Sequence, residues 1–222
     1  MKKLLLFFTV LMFLVYGQKS YAQDRYIDNI FTEVSIESDV VYGSNVTVFP
    51  TLLGLPPAVQ DLVMDVYHPT GDTETNRPAV ILLHTGSFLP AILNGQATGS
   101  KGDNAIVEQC MEFAKKGYVA IALSYRLGWN PYSDSEDVRR STLIQAAYRS
   151  LQDTRTAIRF LRKSAQEDNP YGLSCQIVVG GLGTGGYISL ASGSLNDYDT
   201  ELTLPKFIDT STDVTGDGVP DA

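Results

Sequence analysis

A glycine-rich turn holds the residues whose types and spacing bear most directly on chemistry. It runs from Gly180 to Gly186 as GGLGTGG, between an apolar strand-like segment and a helix-like one. A nucleophile elbow, G-x-S-x-G, needs small residues two positions before and two after the nucleophile, because the turn is sharp and crowded. Gly181 and Gly185 occupy those positions. The position between them is Gly183, which has no side chain with which to attack a substrate.

Two other interpretations of the same turn stay open. Gly181, Gly183 and Gly186 also satisfy G-x-G-x-x-G, the fingerprint of a dinucleotide-binding domain, and Asp209 would then be the candidate ligand of the ribose. That motif normally follows the first strand of a parallel sheet, whereas two buried strands precede it here. The remaining interpretation is a turn whose glycines only let a strand and a helix pack closely.

The elements around the turn predict a parallel sheet. Three apolar runs, residues 79–84, 118–125 and 176–180, are typical of strands buried on both faces. Segments with helical spacing follow them, at residues 104–116, from 135 or 137 to about 165, and from 182 to about 192. Strands that alternate with helices favour parallel pairing and right-handed crossovers. Upstream, residues 27–50 and 62–67 alternate with period two, and we expect antiparallel strands there, with Ile30 and Thr32 in the first.

Three further motifs stand in register with the glycine turn. They are HTGSF at residues 84–88, SYRLG at residues 124–128 and QDTRTAIRF at residues 152–160. Together the four motifs resemble the secreted carboxylesterase and lipase-like branch of the α/β-hydrolases, over roughly residues 60–195. The likeness extends to exported bacterial proteins that keep a glycine- and threonine-rich elbow without the usual serine.

The resemblance implies a fold and a reaction. The fold is α/β, a mostly parallel sheet with antiparallel N-terminal strands, cut from eight strands to about five after the elbow strand and its helix. Residues 23–195 would be this partial domain. The implied reaction is hydrolysis of carboxylic esters by acyl transfer, and the implied ligand is a small ester or acyl compound.

The resemblance also assigns roles to individual residues. The backbone amides of Gly86 and Ser87 would face the substrate carbonyl as part of an oxyanion hole. Thr184 follows the nucleophile position, so its amide would be the remaining donor, and its hydroxyl is the alternative nucleophile. Thr85 stands where the family has a glycine. His84 would be a structural residue at the end of a strand and not the catalytic base.

A general base is missing from the expected place. In the family, the acid and then the histidine follow the nucleophile along the chain. Both histidines of this sequence, His68 and His84, precede Gly183. We therefore expect this sequence to be inactive or nearly so, as a fragment of an exported carboxylesterase-like hydrolase. The alternative is a binding protein that keeps the hydrolase pocket without its chemistry.

The N-terminal segment predicts export. Residues 1–22 combine a basic start, an apolar run from Leu4 to Tyr16 and small residues at a cleavage site before Gln23, as in a secretory signal peptide. The mature protein would be secreted or periplasmic, with no membrane span. In an oxidising compartment Cys110 and Cys175 would either pair or stay as two buried thiols.

The net charge and the C-terminal segment limit which partners and ions the protein is expected to bind. The formal net charge is −8, which argues against nucleic acid as a partner because phosphate binding needs a basic face. Residues 196–222 form an acidic tail. Asp213, Thr215, Asp217 and Asp221 have the spacing of ligands in a calcium loop, although a solvated acidic turn is the alternative interpretation. No other cofactor is expected.

Overall fold

The protein forms one five-stranded sheet in a computed structural model that describes residues 24–195 and residue 197. The strands are β1 (Val34–Thr47), β2 (Ala58–Pro69), β3 (Arg77–Leu83), β4 (Val119–Leu123) and β5 (Leu173–Gly181). Their order in the sheet is β1-β2-β4-β3-β5. The pairs β1/β2 and β2/β4 are antiparallel, whereas β3 lies parallel to both β4 and β5. The mostly parallel sheet with antiparallel N-terminal strands is the one that the sequence predicts.

Four α-helices accompany the strands in the described part of the chain. They are α1 (Ala91–Asn94), α2 (Asn104–Lys115), α3 (Glu136–Gln166) and α4 (Thr184–Ser194), and a 3₁₀ helix spans Phe49–Leu53. Ser135 caps α3, because its hydroxyl accepts a hydrogen bond from the Val138 amide. The three long helices, α2, α3 and α4, confirm the three helices that the sequence predicts. None of the helices in residues 24–195 is both long and apolar enough to cross a bilayer.

Helices cover β3 and β4 on both faces, which explains their continuous apolar runs. Ile81 and Leu83 of β3 pack into the core shared with α3 and α4. Val80 and Leu82 point to the opposite face and pack against α2. Each apolar residue in such a strand therefore loses contact with water, whichever way it points.

The outermost parallel strand, β5, is less buried than its sequence suggests. Val178, near the middle of the strand, has 58% of its surface exposed. Helix α2 packs mainly against β2, β3 and β4, so this face of β5 has no helix above it among the described residues. The expectation that residues 176–180 would be buried on both faces is therefore wrong.

The residues before β1 do not extend the strand as expected. The amides of Ile30 and Phe31 donate to the carbonyl of Lys115, and the amide of Tyr26 donates to that of Lys116. These bonds satisfy carbonyls at the C-terminal end of α2, which have no partner within the helix. Residues 26–31 thus cap a helix, and strand pairing begins only at Val34.

The two cysteines are both free thiols. Cys110 is buried in α2, and Cys175 is exposed on β5. They lie on different elements that do not pack closely against each other. The sequence left open a disulfide or two buried free thiols. The structure has two free thiols, of which only Cys110 is buried.

A buried ion pair fixes the segment after β4. The Asp153 carboxylate on α3 accepts hydrogen bonds from the Arg126 amide at 2.7 Å and from the Arg126 guanidinium at 2.8–3.1 Å. The same guanidinium donates to the carbonyl of Val46 on β1, 2.9 Å away. Both side chains are almost completely buried, so neither charge has water as an alternative partner. This pair holds the end of β4 against α3 and β1.

We expect Asp153→Asn to lower the free energy of unfolding by about 3–5 kcal/mol, because it leaves the buried Arg126 charge uncompensated. Equilibrium urea unfolding measures the change. The control is Glu136→Gln, which breaks an exposed pair with Arg140 one helical turn away and should cost no more than about 0.5 kcal/mol. Similar losses in both variants would contradict the structural role assigned to Arg126 and Asp153.

Candidate active site

The site forms where β3 and β5 end side by side. Leu83, the last residue of β3, is in register with Gly181, the last residue of β5. The amide of Leu182 then donates to the carbonyl of Leu83 at 3.0 Å, so the two strands remain joined as their loops begin. Parallel strands present their carboxyl ends at one edge of a sheet, where ligands bind in open α/β sheets. The motif at residues 84–88 and the glycine turn are therefore neighbours.

The glycine turn is a sharp connection from β5 to α4. Gly183 has φ +53° and ψ −117°, in the left-handed half of the Ramachandran map, and α4 begins at the next residue. A Cβ atom on Gly181 would lie 2.5 Å from the carbonyl carbon of Gly185. A Cβ atom on Gly185 would overlap the carbonyl oxygen of Leu83. The two flanking glycines are thus required by contact, as a nucleophile elbow demands.

The loop after β3 presents backbone amides at the same edge. Gly86 has φ +118° and is packed so tightly that a Cβ atom there would lie 2.6 Å from the Cα atom of Gly99. A tight turn follows, in which the amide of Leu89 donates to the Gly86 carbonyl at 2.9 Å. Among the described residues, the amides of Gly86, Ser87 and Thr184 donate to no acceptor. These three predicted donors remain available to a ligand's carbonyl oxygen.

The first residue of that loop, His84, is held inside the protein. Its ring stacks on Tyr125 with centroids 4.2 Å apart, and its Nδ1–H donates to the carbonyl of Thr85 at 2.6 Å. The Tyr125 hydroxyl donates to the His84 carbonyl at 2.8 Å. Burial lowers the pKa of His84, and the bond to Thr85 and the charge of Asp103 only partly offset this effect. A neutral, stacked imidazole is a structural element of the loop.

Thr184 has its two candidate groups in different environments. Its amide is the first of α4 and has no acceptor among the described residues. Its hydroxyl is buried near Tyr125 and has no hydrogen-bond partner in the part of the chain that the structure describes. The amide is therefore better placed than the hydroxyl to meet a ligand.

Thr85 has a contact that the sequence did not indicate. A Cβ atom on Gly183 would overlap the Thr85 hydroxyl oxygen and would lie 3.0 Å from the Thr85 Cβ. Thr85 is half-buried, and its hydroxyl forms no hydrogen bond with any described residue. In the sequence, Thr85 is only a departure from a glycine pattern. Nothing in the spacing of the motif indicates which residue the Thr85 side chain contacts.

Arg149 is a second residue whose position the sequence does not indicate. It is 2% exposed on α3, and its Nε and Nη2 atoms have no hydrogen-bond partner in the described part of the chain. Burial and the nearby Arg126 charge lower its pKa to about 10, against the effect of Asp153. The guanidinium packs against Gly128, whose amide donates to the carbonyl of Phe88 in the loop after β3. In the sequence Arg149 is one of many charged residues on a long helix.

Several sequence-based expectations fall outside the described residues. They concern the signal segment at residues 1–22, Asp209, and the calcium ligands Asp213, Thr215, Asp217 and Asp221. Within residues 24–195 and at 197, no group of three or more histidine, cysteine or carboxylate side chains is placed to hold a metal ion.

The fold is that of an α/β-hydrolase, and a sharp glycine-rich turn leads from β5 into α4. The sequence model of the BD-FAE family matches residues 64–217, which include both the loop after β3 and the glycine turn. The chain belongs to the BD-FAE family, an esterase-like family of this fold. Comparison with curated protein sequences finds no match.

Solved esterase structures resemble the chain in fold. Esterase B from Lactobacillus rhamnosis is 18% identical, with a TM-score of 0.45 over 83% of this chain and 46% of that one. Brefeldin A esterase, a bacterial homologue of human hormone-sensitive lipase, is 17% identical, with a TM-score of 0.49 over 82% and 40%. An esterase from Thermogutta terrifontis is 24% identical, with a TM-score of 0.40 over 67% and 43%. The chain spans less than half the length of each.

The buried position of His84 predicts a pH dependence of stability. Its pKa is lowered on folding, so the unfolded chain binds more protons just below pH 6.5, and stability falls as the pH decreases through that value. We expect the free energy of unfolding to drop between pH 7 and about pH 5.5. In His84→Gln the slope over this window should be shallower. Parallel curves for the two proteins in urea unfolding would show that His84 titrates alike in both states.

Proposed function

We propose that this protein is an exported member of the carboxylesterase lineage that binds small carboxylic esters or related acyl compounds without attacking them from its elbow. The observation that carries the proposal is Gly183 itself. It occupies the nucleophile position of a sharp strand-to-helix turn, beside backbone amides that have no acceptor among the described residues, and it has no side chain.

The chemistry follows from which parts of an acyl-transfer site are present. Such a site needs a nucleophile, a general base that takes its proton, and donors that stabilise the oxyanion. The amides of Gly86, Ser87 and Thr184 supply the donors. Position 183 supplies no nucleophile, and the His84 imidazole is stacked and bonded to a backbone carbonyl. The site would therefore hold and polarise a carbonyl group without forming an acyl-enzyme at residue 183.

The proposed carbonyl contact can be tested at Thr184 with a matched pair of variants. Thr184→Pro removes the amide donor at the first position of α4, where proline is well tolerated. Thr184→Val keeps the amide and the side-chain shape but removes the hydroxyl. We expect the proline variant to bind acyl esters about twofold to tenfold more weakly, since a neutral hydrogen bond contributes about 0.5–1.5 kcal/mol. The valine variant should bind as the wild type does.

The measurement is thermal unfolding of the full chain with p-nitrophenyl acetate and p-nitrophenyl butyrate, with release of nitrophenol followed in parallel. A bound ester raises the unfolding temperature by mass action, and we expect no turnover above the buffer rate. If the wild type released nitrophenol above the buffer rate and Thr184→Val abolished that release, the Thr184 hydroxyl would instead be a nucleophile. Stabilisation by millimolar NAD, with none by esters, would favour the dinucleotide interpretation of the glycine turn.

A further inference from the structure

Thr85 and Gly183 meet across the gap between the loop after β3 and the glycine turn. The Thr85 hydroxyl oxygen lies where a Cβ atom of residue 183 would stand, and the Thr85 Cβ lies 3.0 Å from that point. The place where a nucleophile's side chain would begin is therefore already occupied. The occupying group is the Thr85 hydroxyl, which has no hydrogen-bond partner among the described residues.

We propose that Thr85 is the side chain that takes the nucleophile's place in this site, where its hydroxyl contacts the bound acyl group. Residues 85 and 183 then form a coupled pair, in which the threonine requires glycine opposite it. The contact with ligand rests on the proposed function. The steric coupling between the two residues does not.

The surroundings of Thr85 favour a role in binding over a role in attack. A threonine hydroxyl becomes a nucleophile only when a base within hydrogen-bond reach removes its proton. Among the described residues no such base contacts the Thr85 hydroxyl. The adjacent imidazole of His84 has its Nδ1–H on the Thr85 carbonyl and its ring against Tyr125. The hydroxyl is thus free to donate to, or accept from, a polar atom of the ligand.

Two separate effects oppose any side chain at position 183. The first is the backbone conformation, since φ +53° is strained for every residue except glycine. The second is overlap with Thr85. Only the second effect depends on residue 85, so substitutions at that residue can isolate it.

The steric part is tested by introducing Gly183→Ala into three backgrounds of the full chain: wild type, Thr85→Gly and Thr85→Val. Valine keeps the volume of threonine and should not relieve the overlap, whereas glycine removes it. We expect the loss of unfolding temperature to be smaller in the Thr85→Gly background by about 3 °C or more. Recovery of folded protein in that background alone would be equivalent support. Equal losses in all three backgrounds would overturn the coupled pair.

The ligand part is tested with the same p-nitrophenyl esters and two variants at Thr85. Thr85→Ser keeps the hydroxyl and should keep the thermal shift, whereas Thr85→Val should weaken apparent affinity by at least about fivefold. If Thr85→Val bound the esters as tightly as the wild type does, the contact between the Thr85 hydroxyl and the ligand would be overturned, but the proposed function would not. Absence of any ester-dependent shift in the wild type would overturn both the ligand contact and the proposed function. The Gly183→Ala substitutions in the three backgrounds would still decide whether residues 85 and 183 are coupled.

Discussion

The parallel pairing of β3 with β5 is the constraint on which the site depends. Because Leu83 and Gly181 end their strands in register, both following loops leave the sheet at one edge. The contact of Gly185 with the Leu83 carbonyl then brings the start of α4 as close to β3 as two backbones allow. The contact between Thr85 and Gly183 follows from this approach. A side chain at residue 185 would push α4 outward and separate them.

Much of the fold could be predicted from the sequence because its elements carry their own local signals. The runs of β3 and β4 are apolar on both faces, and each face has a helix to cover it. Ser135 or Asp137 before a helical pattern predicts the start of α3, and of the two it is Ser135 whose hydroxyl makes the capping bond. The glycine spacing at 181 and 185 predicts a close approach of backbones. In each case the signal lies in residues that are near one another in sequence, even where the contact that it predicts is made with a distant part of the chain.

The features that escaped prediction depend on partners distant in the chain. Ile30 lies in an alternating pattern, but alternation does not specify which strand or helix a residue will pair with. The amide of Ile30 donates its hydrogen bond to the carbonyl of Lys115 at the end of α2. Val178 is apolar but exposed, because burial depends on which elements lie beside β5. Thr85 meets Gly183 only through the register of two strands. Arg149 lies beside the buried Arg126–Asp153 pair, and no local pattern indicates that its Nε and Nη2 atoms are buried without an acceptor among the described residues.

Glycine at position 183 changes the energetics of the elbow as well as its chemistry. A non-glycine residue held in a sparsely populated backbone region costs about 1–3 kcal/mol, and active sites carry such strain when the chemistry needs it. Gly183 adopts φ +53° without that cost. Loss of a side chain alone would leave a gap at the top of the turn, but Thr85 fills it from the opposite loop. Threonine at position 85 and glycine at position 183 are therefore sterically complementary, and this complementarity supports the proposal that the site holds a carbonyl group without attacking it.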